Sequence, residues 1–123
     1  MKPTNKKTLV IGASENPSRY SNAAIRALTN KGISVVAIGR RTGKVGEVLI
    51  GKEKTAWADI HTVTLYLSQT NQQEFEEYIL SLKPKRVIFN PGAENEDLAQ
   101  KAVEAGIEAL EACTLVMLST GQY

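Results

Sequence analysis

The sequence has no long apolar run and almost no cysteine. No stretch of about 18 apolar residues occurs among its 123 residues, so it predicts no membrane-spanning helix. Its one cysteine, Cys113, excludes an intramolecular disulfide and is typical of a reducing compartment. The N-terminus is basic, but no apolar segment follows it, which argues against a secretory signal. We therefore expect a cytoplasmic protein that does not interact with a membrane.

Acidic residues are absent from residues 16–46, and aromatic residues make up only 6% of the chain. Residues 1–61 carry eleven Lys or Arg against four Asp or Glu, whereas residues 62–123 carry four against nine. Basic residues without interleaved aromatic ones argue against a nucleic-acid partner. A basic first half instead favours a small polyanionic ligand, with solvated surface charge as the alternative interpretation.

Strand and helix patterns alternate along the chain after a loose lead-in over residues 1–7. Apolar, β-branched runs predict five strands, at residues 8–12, 34–38, 62–67, 86–90 and 107–110. Helical spacing predicts three helices between them. The first is capped by Ser18 or Ser21 and ends before Gly32, and the second is capped by Asn71 with Glu74 three residues later. The third covers about 96–105, and residues 42–61 are predicted to be irregular apart from a short extended piece at 48–50.

This alternation predicts a single α/β domain over residues 1–123. We expect a Rossmann-like open parallel sheet of about five strands, with right-handed crossovers and helices on both faces. A hydrophobic fraction of 42% can form a core, but 123 residues leave little room for a second, catalytic domain. In such a sheet, ligands bind at the carboxyl ends of the strands.

The first predicted strand is followed by a loop of small residues that can bind a phosphate. Gly12 allows a tight turn, Ala13 and Ser14 let a ligand approach the backbone, and Ser14 and Asn16 add side-chain donors. A strand, a glycine loop and a helix together present backbone N–H groups to the anion, so we assign a pyrophosphate to this loop. The order Gly12-x-Ser14-x-x-Pro17 meets only part of the dinucleotide fingerprint, and an ordinary capped turn is the alternative.

Arginines end the second strand, in the run Gly39-Arg40-Arg41. An NAD site has an acidic residue here that bonds the ribose hydroxyls. Guanidinium groups instead suit a ribose phosphate, and Arg19 in the first loop adds a third positive charge. The pattern favours coenzyme A (CoA) or NADP over NAD and does not separate the two. A pair of exposed arginines without a ligand is the remaining interpretation.

Two further strand ends are expected at the same edge of the sheet. Leu67-Ser68 follows the third strand and Pro91-Gly92 follows the fourth. We predict that these pairs flank the adenine or the pantetheine arm of a nucleotide ligand. No acid–base pair is evident in the predicted cleft, and the one histidine, His61, has no obvious partner. The sequence therefore favours a binding module over an enzyme.

The run from Val10 to Ser21 resembles the opening of the CoA-binding domain family. Gly12-Ala13-Ser14 and the stretch Asn16-Pro17-Ser18-Arg19 carry the resemblance, which continues more weakly over about residues 8–118. The chain is also similar to the nucleotide-binding domain of the succinyl-CoA synthetase alpha subunit. The resemblance implies a stand-alone protein that binds CoA or an acyl-CoA without catalysis of its own. The catalytic histidine of that synthetase lies in a separate later domain, and nothing in this chain corresponds to it.

The resemblance also extends to later strand ends. A family glycine corresponds to Gly92, followed by a similar Glu- and Asn-rich helix start at residues 94–96. A family cysteine corresponds to Cys113, which implies a position near the end of the pantetheine arm. The chain departs from the family where Gly39-Arg40 replaces an Asn-Pro pair, and where Asn90-Pro91 replaces a common Trp or Gln.

Three classes of function remain open from the sequence. The first is a module for CoA or an acyl-CoA. The second is an NADP-binding oxidoreductase-type module, for which about 120 residues leave no evident substrate region. The third is a degenerate Rossmann domain used for protein interaction. A homodimer or a partner enzyme that uses acyl-CoA is compatible with each, since the apolar run Leu115–Leu118 can pack on its own sheet or on another subunit.

Overall fold

A seven-stranded sheet forms the centre of the molecule in the computed structural model, which describes residues 6–123. The strands within that range are β1 (Thr8–Ala13), β2 (Val35–Gly39), β3 (Gly43–Val45), β4 (Val48–Gly51), β5 (Thr62–Leu65), β6 (Arg86–Phe89) and β7 (Glu108–Glu111). Their order across the sheet is β3-β4-β2-β1-β5-β6-β7. All neighbouring strands are parallel except the β3–β4 pair. The lead-in predicted over residues 1–7 lies outside the described residues, except for Lys6 and Lys7.

The described sheet therefore has two strands more than the sequence predicts. The additional strands form the β3–β4 hairpin inside the segment predicted to be irregular, and β4 coincides with the short extended piece predicted at 48–50. Gly46 adopts a φ of +60° in the turn between them. In β4 the buried Val48 and Ile50 alternate with Leu49, which is 73% exposed. The apolar run Val48–Ile50 thus belongs to a strand with one exposed face. A run of only three apolar residues does not indicate that the strand pairs with β3.

Helices cover both faces of the sheet, as predicted. They are α1 (Tyr20–Asn30), α2 (Gln69–Gln72), α3 (Glu76–Leu82), α4 (Glu96–Glu104) and α5 (Thr114–Ser119), with a 3-10 turn at Gln73–Phe75. Ile25 of α1 and Met117 of α5 pack on one face, whereas Ile79 of α3 and Leu98 of α4 pack on the other. The run Leu115–Leu118 thus contributes to its own core. None of the described helices combines the length and apolar character needed to span a membrane.

Two helix starts differ from the predicted ones. The N-cap of α1 is Arg19, because the Ser18 hydroxyl is used inside the preceding loop and Ser21 is buried within the helix. The N-cap of α2 is Ser68, whose hydroxyl accepts a hydrogen bond from the Asn71 N–H at 3.4 Å. The C-terminal prediction for α1 is confirmed, since Gly32 follows the helix with a φ of +76°.

The strand connections diverge at β1. This strand pairs in parallel with β2 on one side and with β5 on the other, and Ile11 is in register with both Ile38 and Leu65. The segments that follow the three strands therefore leave the sheet side by side. Such a topological switch point is where open α/β sheets bind their ligands.

Candidate functional site

A cleft of about 600 Å³ opens at the carboxyl ends of β1, β2 and β5. Three loops form its wall, one after each strand. The structure brings nine of the predicted site residues together there: Gly12, Ala13, Ser14, Asn16, Arg19, Arg40, Arg41, Leu67 and Ser68. The cleft thus occupies the switch point that the strand order creates.

Five predicted site residues do not line this cleft. Pro17 is exposed in the loop before α1. Gly39 packs against Ala13, since a Cβ at Gly39 would collide with the Ala13 carbonyl oxygen. Pro91 and Gly92 follow β6, and Cys113 follows β7. These three residues belong to strand ends beyond β5 along the same edge of the sheet.

Four lining residues were not predicted: Glu15, Thr42, Tyr66 and Asn71. Each is a close sequence neighbour of a predicted site residue, so proximity to the strand ends was the available signal.

Gly12, near the end of β1, allows this strand to touch the loop after β5. Its φ is +94°, a left-handed conformation that favours glycine. A Cβ at this position would lie 2.8 Å from the Tyr66 carbonyl oxygen and 3.2 Å from Leu67 Cδ2. The glycine therefore provides both the turn and the close approach of two backbones.

Hydrogen bonds within the first loop order it without a ligand. The Asn16 N–H donates to Ser14 Oγ at 3.0 Å, and the Ser18 N–H donates to Asn16 Oδ1 at 3.0 Å. The Asn22 side chain in α1 donates to the Ser14 carbonyl at 3.0 Å, which ties the loop to the helix. Since Ser14 Oγ accepts a bond here, its own O–H can donate to a ligand. Such preorganisation lowers the entropic cost of binding.

Positive charge dominates the cleft. Arg19, Arg40 and Arg41 are exposed side chains around it, against the single carboxylate of Glu15 among the lining residues. Arg19 is the N-cap of α1, and its guanidinium offers no acceptor to the N–H groups of the first turn. Their partial positive charge adds to that of the guanidinium groups. This arrangement suits a ligand with more than one phosphate group.

Glu15 fastens the first loop to the β3–β4 hairpin. Its Oε2 accepts a hydrogen bond from the Lys44 N–H at 2.8 Å. The carboxylate lies directly over Gly43, where a Cβ would collide with it. The hairpin follows Arg40 and Arg41 at once in the chain, so this contact also positions the arginine segment.

Replacing Gly43 by alanine is expected to break the contact between Glu15 and Lys44. The new methyl group displaces the exposed Glu15 carboxylate and breaks its hydrogen bond to the Lys44 N–H, so the free energy of unfolding should fall by about 0.5–1.5 kcal/mol. The matched control is Gly51→Ala in the same hairpin, where a Cβ meets nothing within 4 Å. Urea unfolding of both variants measures the difference, and an equal change in the two would contradict the proposed contact.

Tyr66 forms part of the cleft wall with its hydroxyl turned inward. Burial raises the pKa of Tyr66 to about 12, and the nearby hydroxyls of Thr64 and Thr114 offset part of this shift. Those two hydroxyls bond each other at 2.9 Å, and the buried Tyr66 Oη has no hydrogen-bond partner among the described residues. The neutral phenol is therefore strongly favoured in the folded protein.

The pKa of Tyr66 predicts a loss of stability in alkali. The unfolded chain releases this proton near the ordinary tyrosine pKa of 10.0, whereas the folded chain releases it only at about 12. Ionisation thus favours unfolding, and the free energy of unfolding should fall by about 2–3 kcal/mol as the pH rises across this interval. Tyr66→Phe should lack this loss and should unfold at neutral pH within about 1 kcal/mol of the wild type, since it removes an unpaired hydroxyl. Denaturant titrations of both proteins from pH 8 to 12 test this, and parallel pH curves would contradict it.

Asn90 holds the next part of the sheet edge together. Its Nδ2 donates to Thr64 Oγ1 at 2.7 Å and to the Leu65 carbonyl at 2.9 Å, and its Oδ1 accepts from the Thr114 N–H at 2.9 Å. The buried amide therefore joins β5, β6 and the start of α5. It fixes the loop that begins at Pro91 and the half-buried Cys113 that precedes α5.

His61 lies at the opposite edge of the sheet. It precedes β5, at the amino ends of the strands, and its backbone N–H donates to the Lys7 carbonyl at 2.9 Å. Partial burial, followed by the positive charge of Arg86, lowers the pKa of His61. This histidine therefore lies outside the cleft. No group of three His, Cys, Asp or Glu residues in the described part of the chain could hold a metal ion.

The family of CoA binding domains matches residues 6–119 of this chain. The chain belongs to that family. Membership supports CoA binding in general, and it confirms the resemblance that the first loop carries. The Rossmann-like α/β fold is confirmed as well. Among curated proteins, no match was found.

Solved structures share the fold of this CoA binding domain over nearly its full length. A crystal structure of an uncharacterized protein is 46% identical and superposes with a TM-score of 0.95, covering 98% of this chain and 99% of the other. A hypothetical protein from Pyrococcus horikoshii is 24% identical, with a TM-score of 0.84 over 94% of this chain and 83% of the other. A Thermus thermophilus protein is 18% identical, with a TM-score of 0.83 over 97% and 91%. The last two show the fold alone.

Proposed function

We propose that this protein binds CoA or an acyl-CoA as a module without catalytic activity of its own. The observation that carries the proposal is the cleft, in which the Gly12 loop, the start of α1 and the Arg40-Arg41 pair face one space. A glycine loop and a helix N-terminus bind a pyrophosphate through backbone N–H groups. Two guanidinium groups bind an additional phosphate through charge-assisted hydrogen bonds.

CoA carries both kinds of phosphate. Its pyrophosphate is assigned to Gly12, Ala13, Ser14 and Asn16, with Arg19 beside them. Its 3′-phosphate is assigned to Arg40 and Arg41, on the β2 side of the loop.

The pantetheine arm then extends towards β6. On the other side of β1, the contact between Glu15 and Lys44 closes the space between the first loop and the hairpin. On the open side, β6 lies two strands from β1, a separation of about 10 Å. The arm would pass Leu67 and Ser68, reach Pro91-Gly92, and end near Cys113.

The cleft favours binding over catalysis. Its only carboxylate among the described lining residues accepts a hydrogen bond from the Lys44 N–H. Tyr66 keeps its proton, because burial raises its pKa to about 12. General acid–base catalysis needs a group that titrates near the working pH, and the Tyr66 phenol does not do so.

Calorimetric titration of the ligand-free protein with CoA, dephospho-CoA and NADP at fixed salt tests the proposal. We expect CoA to bind more tightly than dephospho-CoA by about 1–3 kcal/mol, because dephospho-CoA lacks the phosphate assigned to the arginines. A preference for NADP would instead identify an oxidoreductase-type module. Failure of all three ligands to bind would overturn the proposal and favour a role in protein interaction.

A further inference from the structure

Gln72 is a polar residue in the core with all of its side-chain hydrogen bonds directed at loops around the sheet edge. Its side chain is 0% exposed. Its Nε2 donates to the Leu67 carbonyl at 2.8 Å and to the Ala93 carbonyl at 2.7 Å. Both amide hydrogens are therefore used, each on a different loop. The residue ends α2, which directly follows the cleft.

The two carbonyls belong to different halves of the proposed binding site. Leu67 lines the cleft after β5. Ala93 closes the turn after β6, where its N–H donates to the Asn90 carbonyl at 2.8 Å and Gly92 has a φ of +92°. Gln72 is thus a direct link between the wall of the phosphate cleft and the Pro91-Gly92 loop.

A second amide keeps Gln72 in this orientation. Asn95 Nδ2 donates to Gln72 Oε1 at 2.8 Å, and Asn95 Oδ1 accepts from the Leu98 N–H at 3.1 Å, which caps α4. Asn95 Nδ2 also lies 3.3 Å from Glu76 Oε2, and Glu76 in turn pairs with Lys101 at 2.9 Å. The Gln72 carbonyl oxygen is therefore committed to Asn95, and its NH₂ group can point only at the two loops.

We propose that Gln72 is a positioning residue that sets the spacing between the two halves of the site. The proposal rests on the proposed function, because it assumes that one ligand crosses from the β1–β5 cleft to the loop after β6. Apolar packing alone would be served by Leu or Met, since a buried amide is favourable only when it is hydrogen-bonded. The three bonds of Gln72 join the Leu67 and Ala93 carbonyls to the cap of α4, whereas Asn90 links β5 to the start of the loop after β6.

The test compares a whole ligand with half of it. The variant Gln72→Met keeps the length of the side chain and removes its hydrogen bonds. CoA spans both loops, whereas adenosine 3′,5′-bisphosphate carries only the nucleotide half and needs only the cleft. We expect the affinity for CoA to fall about tenfold, equivalent to about 1.4 kcal/mol. The affinity for the bisphosphate should change less than about twofold.

Ile79→Val is the matched control. Ile79 is equally buried on the same face of the sheet, and its side chain has no polar atoms to link loops. This variant should lower stability without changing the ratio of the two affinities. If Gln72→Met does not fold, Gln72→Asn replaces it. The amide is kept on a side chain one methylene shorter, which cannot reach both carbonyls, so one of the two loops is released and a smaller loss for CoA than tenfold is expected.

The outcomes separate this inference from the proposed function. Wild-type protein that does not bind CoA overturns the proposed function and the inference together. Wild-type protein that binds CoA, with variants that lose CoA and the bisphosphate equally or lose neither, overturns only the role of Gln72. A selective loss for CoA in the Gln72 variants, absent in Ile79→Val, supports it.

Discussion

Replacement of Arg40 and Arg41 together by alanine is expected to weaken CoA binding about 100-fold at low salt. Each guanidinium group is assigned to the 3′-phosphate, and a hydrogen bond to a charged group contributes about 1.5–3 kcal/mol. Both side chains are exposed, so solvent screening keeps the combined contribution of the two arginines low, at about 2.7 kcal/mol of binding free energy. Titration calorimetry measures the change.

Dephospho-CoA provides the internal comparison for the arginine pair. It lacks the 3′-phosphate, so the double variant should bind it only a few times more weakly than the wild type does. The charge-matched control is Lys31→Ala with Lys85→Ala, which removes two exposed basic side chains outside the cleft. A similar loss of CoA affinity in this control would show that the arginines act through general charge. An equal loss for both ligands in the Arg40 and Arg41 variant would remove the 3′-phosphate assignment.

Replacement of Gly12 by alanine is expected to lower the free energy of unfolding by about 3 kcal/mol. A left-handed backbone conformation costs a residue with a side chain about 1 kcal/mol. The remainder comes from the collision of the new Cβ with the Tyr66 carbonyl, 2.8 Å away, which only a shift of the backbone can relieve. The same shift separates the loops that form the cleft, so CoA affinity should fall as well.

Gly32→Ala is the control that separates the backbone strain of a positive φ from the collision of a new Cβ. Gly32 has a similarly positive φ of +76°, but a Cβ there meets nothing within 4 Å. This control should lose about 1 kcal/mol and retain CoA binding. Urea unfolding and calorimetry on both variants measure the two effects. Equal destabilisation of the two variants would mean that the collision with the Tyr66 carbonyl does not contribute to the loss of stability in Gly12→Ala.

The strand pattern predicted most of the fold because local apolar runs decide whether a segment is buried. The five long-range parallel strands, the helices on both faces and the C-terminal Gly32 of α1 were predictable in this way. The β3–β4 hairpin was not, because its strands have three and four residues and one face of β4 is exposed. The predicted N-cap of α1 was wrong, because the Ser18 hydroxyl bonds Asn16 within its own loop instead of capping the helix.

Some residues of the candidate site could be predicted from the sequence and others could not. Ser14, Arg40 and Ser68 follow strands whose carboxyl ends had to meet, so the sequence could place them together. Glu15 was missed because its partner is the Lys44 backbone in the unpredicted hairpin. Gln72 was missed because nothing local distinguishes it from the neighbouring polar residues of a surface helix.

By itself, the sequence determined the class of this protein. Continuous apolar runs that alternate with helical spacing specify a parallel sheet, and Gly12-Ala13-Ser14 with the Arg40-Arg41 pair indicates a phosphorylated ligand. Only the tertiary structure decided which residues share a space. Nine predicted residues meet in one cleft while Pro91, Gly92 and Cys113 lie beyond it, and Gln72 joins the two regions. The reason is that the distance between strand ends depends on the order of the strands in the sheet, which long-range pairing sets and which no local pattern records.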